Sequence, residues 1–123
     1  MEKLDATIKK HFRAIQNRDL IKLIETVDKE KVTLILPNGK LSKSFSDYEN
    51  VNYNWFLDND WTIEYEIIDK NVTKEMGIIL TKITYFDKDE NGKDYSFQYF
   101  LSLTFKLDQG EWKLVFDQNT IIK

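Results

Sequence analysis

The chain holds one histidine, no cysteine and seventeen aromatic residues, so its possible chemistry is narrow. His11 lies on or beside the apolar stripe of an N-terminal helix. Facing a cavity, it would serve as an acid or base near neutral pH. The commoner fate of a lone histidine there is a packed, hydrogen-bonded core residue. Lys82 interrupts an otherwise apolar strand face. A cation there would orient an acidic ligand group. The plainer readings are a stem snorkelling at a pocket rim, or a bulge that turns it outward. Tyr53, Tyr65 and Tyr99 offer hydroxyls to a ligand, or sit in the core with the hydroxyl at its edge. Trp55, Trp61 and Trp112 read as packing residues of a kind that also walls small-molecule pockets. Asp117 and Asn119 read as residues that serve the outer sheet face or the strand end. Asp58 and Asp60 read as solvated turn residues.

Several chemistries have no support. Without cysteine there is no disulfide, thiolate metal site or sulfur nucleophile. One histidine with no helical His/Asp repeat gives no metal site. Asp87-Lys88-Asp89-Glu90-Asn91-Gly92 resembles a calcium loop but lacks the downstream bidentate glutamate, and a hairpin tip explains it. Glycine-rich phosphate loops and the Gly-x-Ser-x-Gly elbow are absent, and no cofactor is expected.

The elements that must position these residues follow from periodicity. Leu4, Ile8, Phe12 and Ile15 predict a first helix over residues 2–17, with Glu2 and Asp5 at the positive end of its dipole. Asp19 caps a second, over 20–27. Strands are expected over 32–36 and 41–43. Ser46 and Glu49 form a capping box that opens a third helix over 47–58. Four antiparallel strands follow, over 61–69, 76–86, 95–107 and 111–119. Asn91-Gly92 and Gln109-Gly110 mark the later turns. The class is α+β: three N-terminal helices packed on a strongly curved, mainly antiparallel sheet.

Even-length hairpin loops would pair odd positions with even ones. The face turned to the helices then holds Trp61, Ile63, Tyr65 and Ile67; Ile78, Leu80, Lys82, Thr84 and Phe86; Phe97, Tyr99, Leu101, Leu103 and Phe105; and Trp112, Leu114, Phe116 and Gln118. A bulge would shift part of this scheme. The outer face would carry Ile79, Ile83, Tyr85, Phe100 and Val115 in its middle, together with Asp117 and Asn119. Such a patch predicts a homodimer packed sheet to sheet.

At 123 residues with a formal charge of −3, the chain is expected to be one domain, 1–123, with no basic stripe for nucleic acid. No apolar run approaches the roughly 20 residues of a membrane span. The opening Met1-Glu2-Lys3-Leu4-Asp5 lacks signal-peptide order, so a soluble, cytoplasmic protein is expected.

The run Gly110-Glu111-Trp112-Lys113-Leu114-Val115-Phe116-Asp117-Gln118-Asn119-Thr120 resembles the last strand of SnoaL-like proteins of the nuclear-transport-factor-2-like superfamily. Trp55-Phe56 with Asp58 and Trp61-Thr62-Ile63 resembles their third-helix exit. The resemblance implies a cone, a bent sheet wrapped on three helices and commonly dimeric. It includes ketosteroid isomerases, whose chemistry needs a carboxylate base and an oxyanion hole of a tyrosine and a protonated acid. By alignment these three positions fall on Leu36, His11 and Leu103 in turn. A position that carries histidine in similar sequences falls on Phe116. Two leucines in place of carboxylates make isomerase chemistry of that type unexpected. The expectation is a binding domain for a small apolar or amphipathic molecule, contacted by Tyr53, Trp61, Tyr65, Lys82, Tyr99, Leu103 and Phe116. The alternatives are a cyclase-, isomerase- or dehydratase-type enzyme using His11 with a cavity tyrosine, and a non-binding assembly domain.

Overall fold

The computed structural model describes residues 3–123; Met1 and Glu2, with the expected dipole role of Glu2, lie outside the described residues. Helix α1 spans Leu4–Gln16 and buries Leu4, Ile8, Phe12 and Ile15 along one stripe. It ends at Asn17, and Arg18 follows in the left-handed region. Asp19 caps the short α2, Leu20–Ile24, by accepting from the Lys22 amide at 3.1 Å. The expected second helix is thus shortened at its C-terminal end, to Leu20–Ile24. Its would-be last turn leaves helical geometry so that Val27 can bridge to Leu114 in the sheet.

Strands β1 (Thr33–Ile35) and β2 (Leu41–Ser42) precede α3, Phe45–Phe56. The cap of α3 is Ser44, which accepts from the Asp47 amide, and not the expected Ser46. Both serines have a carboxylate three residues on. The earlier one wins, and Phe45 packs against the core from the first turn. Strands β3 (Thr62–Val72), β4 (Met76–Lys88), β5 (Asp94–Asp108) and β6 (Glu111–Ile121) complete a six-stranded sheet of order β2-β1-β6-β5-β4-β3. Pairing is antiparallel except between β1 and β6. The class is α+β, three helices on a mostly antiparallel sheet, as expected. No helix is long and apolar enough to cross a membrane among the described residues.

The face assignment needs three corrections, each with a local cause. First, the β4–β5 connection is odd in length. Asp89 donates its amide to the Lys93 carbonyl, and its side chain accepts from the Asn91 and Lys93 amides. Of the intervening Glu90-Asn91-Gly92 only Gly92 has positive φ, a type I turn closed by a glycine bulge and not the two-residue Asn-Gly turn. Second, β3 carries a bulge between Ile67 and Asp69. Both features turn β4 over. Gly77, Ile79, Thr81 and Ile83 face the helices, with Ile79 and Ile83 fully buried, while Ile78, Lys82 and Phe86 share the outer face. Third, β6 has a bulge at Val115, between the pairs Phe105↔Leu114 and Thr104↔Phe116. Beyond it Asp117 pairs with Leu103 on the inner face, and Phe116 shares the outer face with Thr104.

The expected dimer patch changes accordingly. Ile79 and Ile83 are core residues, Tyr85 faces inward, and Val115 is the half-buried extra residue of a bulge. Only Phe100 keeps its expected place, 38% exposed. Tyr99, Leu103 and Leu114 do face the helices and are buried. The Gln109-Gly110 turn has positive φ at both residues, as a two-residue hairpin loop requires.

Candidate functional site: an apolar cavity with one carboxyl group

The helices do not fill the concave side of the sheet. Between α1, α3 and the strands lies a cavity of about 270 Å³. Helix α3 supplies Tyr48, Val51, Asn52 and Trp55; α1 supplies Ile15; β1 and its exit supply Leu34, Leu36 and Pro37. The sheet supplies Ile63, Tyr85, Phe97, Tyr99, Leu101, Asp117 and Asn119. Tyr48, Asn52 and Trp55 share one face because residues three and four apart do so on a helix. Tyr99, Leu101, Asp117 and Asn119 share one face because they pair odd to odd across β5 and β6.

Aromatic rings build one wall. Trp55 stacks on Trp61 with centroids 4.1 Å apart, and Tyr85, Phe97 and Tyr99 continue the series at 5.0 and 5.9 Å. Trp61 is fully buried behind this wall, donates Nε1–H to the Trp55 carbonyl at 3.0 Å, and carries the Arg18 guanidinium 4.1 Å from its ring centroid. The Arg18 Nη2–H also donates to the Trp61 carbonyl. Tyr85 donates its hydroxyl to Asp87 at 2.7 Å.

The polar groups gather where β5, β6 and α3 meet. Asp117 is 7% exposed. Among the described residues its carboxyl has one hydrogen-bond partner, the Asn119 Nδ2–H at 3.0 Å. The same amide donates to the Ile35 carbonyl at 2.8 Å, which fixes the Asn119 side chain. Burial raises the Asp117 carboxyl to about 7, and the Asn119 bond only partly opposes this. Burial also pushes the Tyr48 and Tyr99 hydroxyls up, and the Asp117 charge adds to both. Asp117 is the only charged side chain lining the cavity among the described residues.

The expected site residues divide. Tyr99 and Leu36 line the cavity. Leu103 is fully buried behind it, directly across the ladder from Asp117. Asp117 therefore brings a carboxyl group to the cavity from the strand beside Leu103, where parity had placed it on the outer face. Trp61 and Tyr65 sit behind the wall; Tyr65 stacks on Phe12 at 4.0 Å. Tyr53 is exposed on α3, Lys82 lies on the outer face opposite Glu66, and Phe116 is turned away by the β6 bulge. His11 is fully buried off the cavity, between Phe12 and Phe105, with Nδ1 2.8 Å from the Thr26 hydroxyl. Burial lowers it to about 4, so it is neutral at pH 7. Asp117 was missed because parity counted from the Gln109-Gly110 turn puts it outside. Its one sequence signal is the contiguous Leu114-Val115-Phe116 run before it, which allows a bulge. Asp58, Asp60 and Asp87 bring oxygens within 4.8 Å of one another; none of them lines the cavity, and Asp87 accepts from the cavity-lining Tyr85.

A bent sheet wrapped on three helices around an apolar hollow is the cone architecture. Solved structures make the class explicit. A protein assigned as a calcium/calmodulin-dependent protein kinase type II association domain from Thiobacillus denitrificans superposes with a TM-score of 0.86 at 9% identity, over 100% of this chain and 98% of that one. A ketosteroid isomerase-like protein from Erwinia carotovora atroseptica gives 0.82 at 14%, over 98% and 94%. A protein assigned as a dehydratase of the nuclear-transport-factor-2-like family from Streptomyces avermitilis gives 0.81 at 12%, over 97% and 93%. The chain has the nuclear-transport-factor-2-like fold. Its sequence matches no protein-family model and no curated protein.

Proposed function

We propose that this chain binds a small, largely apolar molecule in the cavity and pairs with a second copy through the outer face of its sheet. The observation that carries the binding reading is the cavity itself. Aromatic and aliphatic walls meet a single cluster of polar groups, Asp117, Asn119, Tyr48 and Tyr99, which is how small-molecule sites fix orientation. Its size suits a compact ligand. Benzene fills an engineered cavity of about 150 Å³, so about 270 Å³ suits a body of about ten non-hydrogen atoms.

Pairing is supported by the corrected outer face. Ile78, Phe86 and Phe100 are exposed there, with Leu80 and Phe116 half-buried beside them. A solved protein named for association has the same fold, and assembly through a sheet face leaves the cavity free. An enzyme reading is favoured by one observation, the Asp117 carboxyl held at about 7 beside two tyrosines, a setting for proton transfer near neutral pH. In that reading the acid–base group is Asp117, and His11 has no access to the cavity. Native mass spectrometry of the protein isolated from its own cells tests the proposal. The expected result is a dimer carrying a retained small molecule. A monomer, and a cavity that stays empty and takes up no apolar probe, would overturn it.

A further inference from the structure

The cavity has one formal charge and nothing to balance it. No lysine, arginine or histidine lines it among the described residues. The groups facing Asp117 are Tyr48 from α3, Tyr99 and Leu103 from β5, Leu34 from β1 and Asn119 from its own strand. None can carry positive charge. An ionised carboxylate with one amide donor in an apolar site is under-solvated. An acidic ligand would add a second uncompensated charge. A cationic ligand would supply the missing partner, with a charge-assisted hydrogen bond of the strong kind. The aromatic lining suits the same choice, since Trp55, Tyr85 and Phe97 also line the cavity and an aromatic ring attracts a cation over its face.

We propose that the cavity selects a small amine, with an apolar or aromatic body against the ring wall and its ammonium group on Asp117. This deepens the binding reading above and rests on it. It reverses the polarity expected when Lys82 was placed inside; with Lys82 on the outer face, no cationic side chain lines the cavity to pair with an acid among the described residues. The raised carboxyl adds a signature. Below about 7 Asp117 takes up a proton and can no longer pair as an anion, so amine binding releases a proton and weakens as the pH falls. His11, lowered to about 4, and the raised tyrosines are silent between pH 6 and 8.

Calorimetric titration with phenethylamine, phenethyl alcohol and phenylacetate tests this, since the three share a ring and differ in charge. At about pH 8 the amine should bind about tenfold or more tighter than the alcohol, with phenylacetate weakest. At about pH 6 the amine should lose about tenfold and the alcohol should be unchanged. In Asp117→Asn the amine and the alcohol should fall within about threefold of each other, while thermal melting shows the variant folded. Equal or tighter binding of the alcohol or the acid, or an amine preference that survives Asp117→Asn, overturns the amine inference and leaves the cavity reading standing. Binding of none of the three overturns both.

Discussion

Replacing Asp117 by asparagine should stabilise the protein, and only above acidic pH. The carboxyl lies at about 7 in the fold and near 3.8 in the unfolded chain. Between those values the folded state holds a proton that the unfolded state has lost, so stability falls as pH rises through that window and is level beyond it. At 1.36 kcal/mol per pKa unit, the gap corresponds to about 4 kcal/mol of native-state cost at pH 8. Asparagine removes this cost and forgoes one hydrogen bond to a charged group, about 2 kcal/mol. The net expectation is about 2 kcal/mol, or about 8 °C in melting temperature for a chain of this length. His11 works in the opposite sense. Its folded value of about 4 lies below its ordinary 6.5, so its contribution is full above 6.5 and is lost as pH falls towards 4. In the native sequence the two slopes oppose each other over the shared window, and the profile there is flattened. Asp117→Asn should unmask the histidine slope, with stability climbing from about pH 4 to 6.5 and level above. Urea unfolding at about pH 4.5, 6 and 8, at fixed protein concentration, reads all three points. A variant that is equally stable or less stable at pH 8, or a difference that does not grow with pH, would refute the placement of this carboxyl in an apolar hollow.

Three further outcomes are expected. The ring carbon signals of His11, followed by NMR, should not titrate between about pH 5 and 8, because burial against Phe12 and Phe105 holds the ring neutral; a midpoint near 6.5 would contradict that burial. Gln109 sits at φ 51°, a conformation asparagine tolerates better, so Gln109→Asn should raise stability by roughly 0.5 kcal/mol in the same unfolding assay; a loss would mean the turn is not of the two-positive-φ type. Ile78 is 49% exposed on the outer face, so Ile78→Glu should leave the melting of a monomer nearly unchanged. By burying a charge against the second copy, it should also weaken dimerisation by about tenfold or more in sedimentation, and unchanged dimerisation would exclude this face.

The sequence by itself determined the order of elements, the α+β class and the cone. Helical spacing in Leu4, Ile8, Phe12 and Ile15, the Asp19 cap and the Gln109-Gly110 turn are local signals, and local physics reads them correctly. Tyr99, expected to contact a ligand, and Leu36, where the resemblance put a carboxylate position, both line the cavity. What only the tertiary structure decided was parity. Ile78-Ile79 and Val115-Phe116 are adjacent apolar pairs, so alternation in these strands does not say which member faces inward. The odd loop organised by the Asp89 side chain and the bulges at β3 and β6 made that choice, driven by the packing of Ile79, Ile83 and Leu114 under the helices. A one-residue slip exchanges the faces. It moved Lys82 out of the cavity and Asp117 in, and so changed the sign of the charge a ligand would meet.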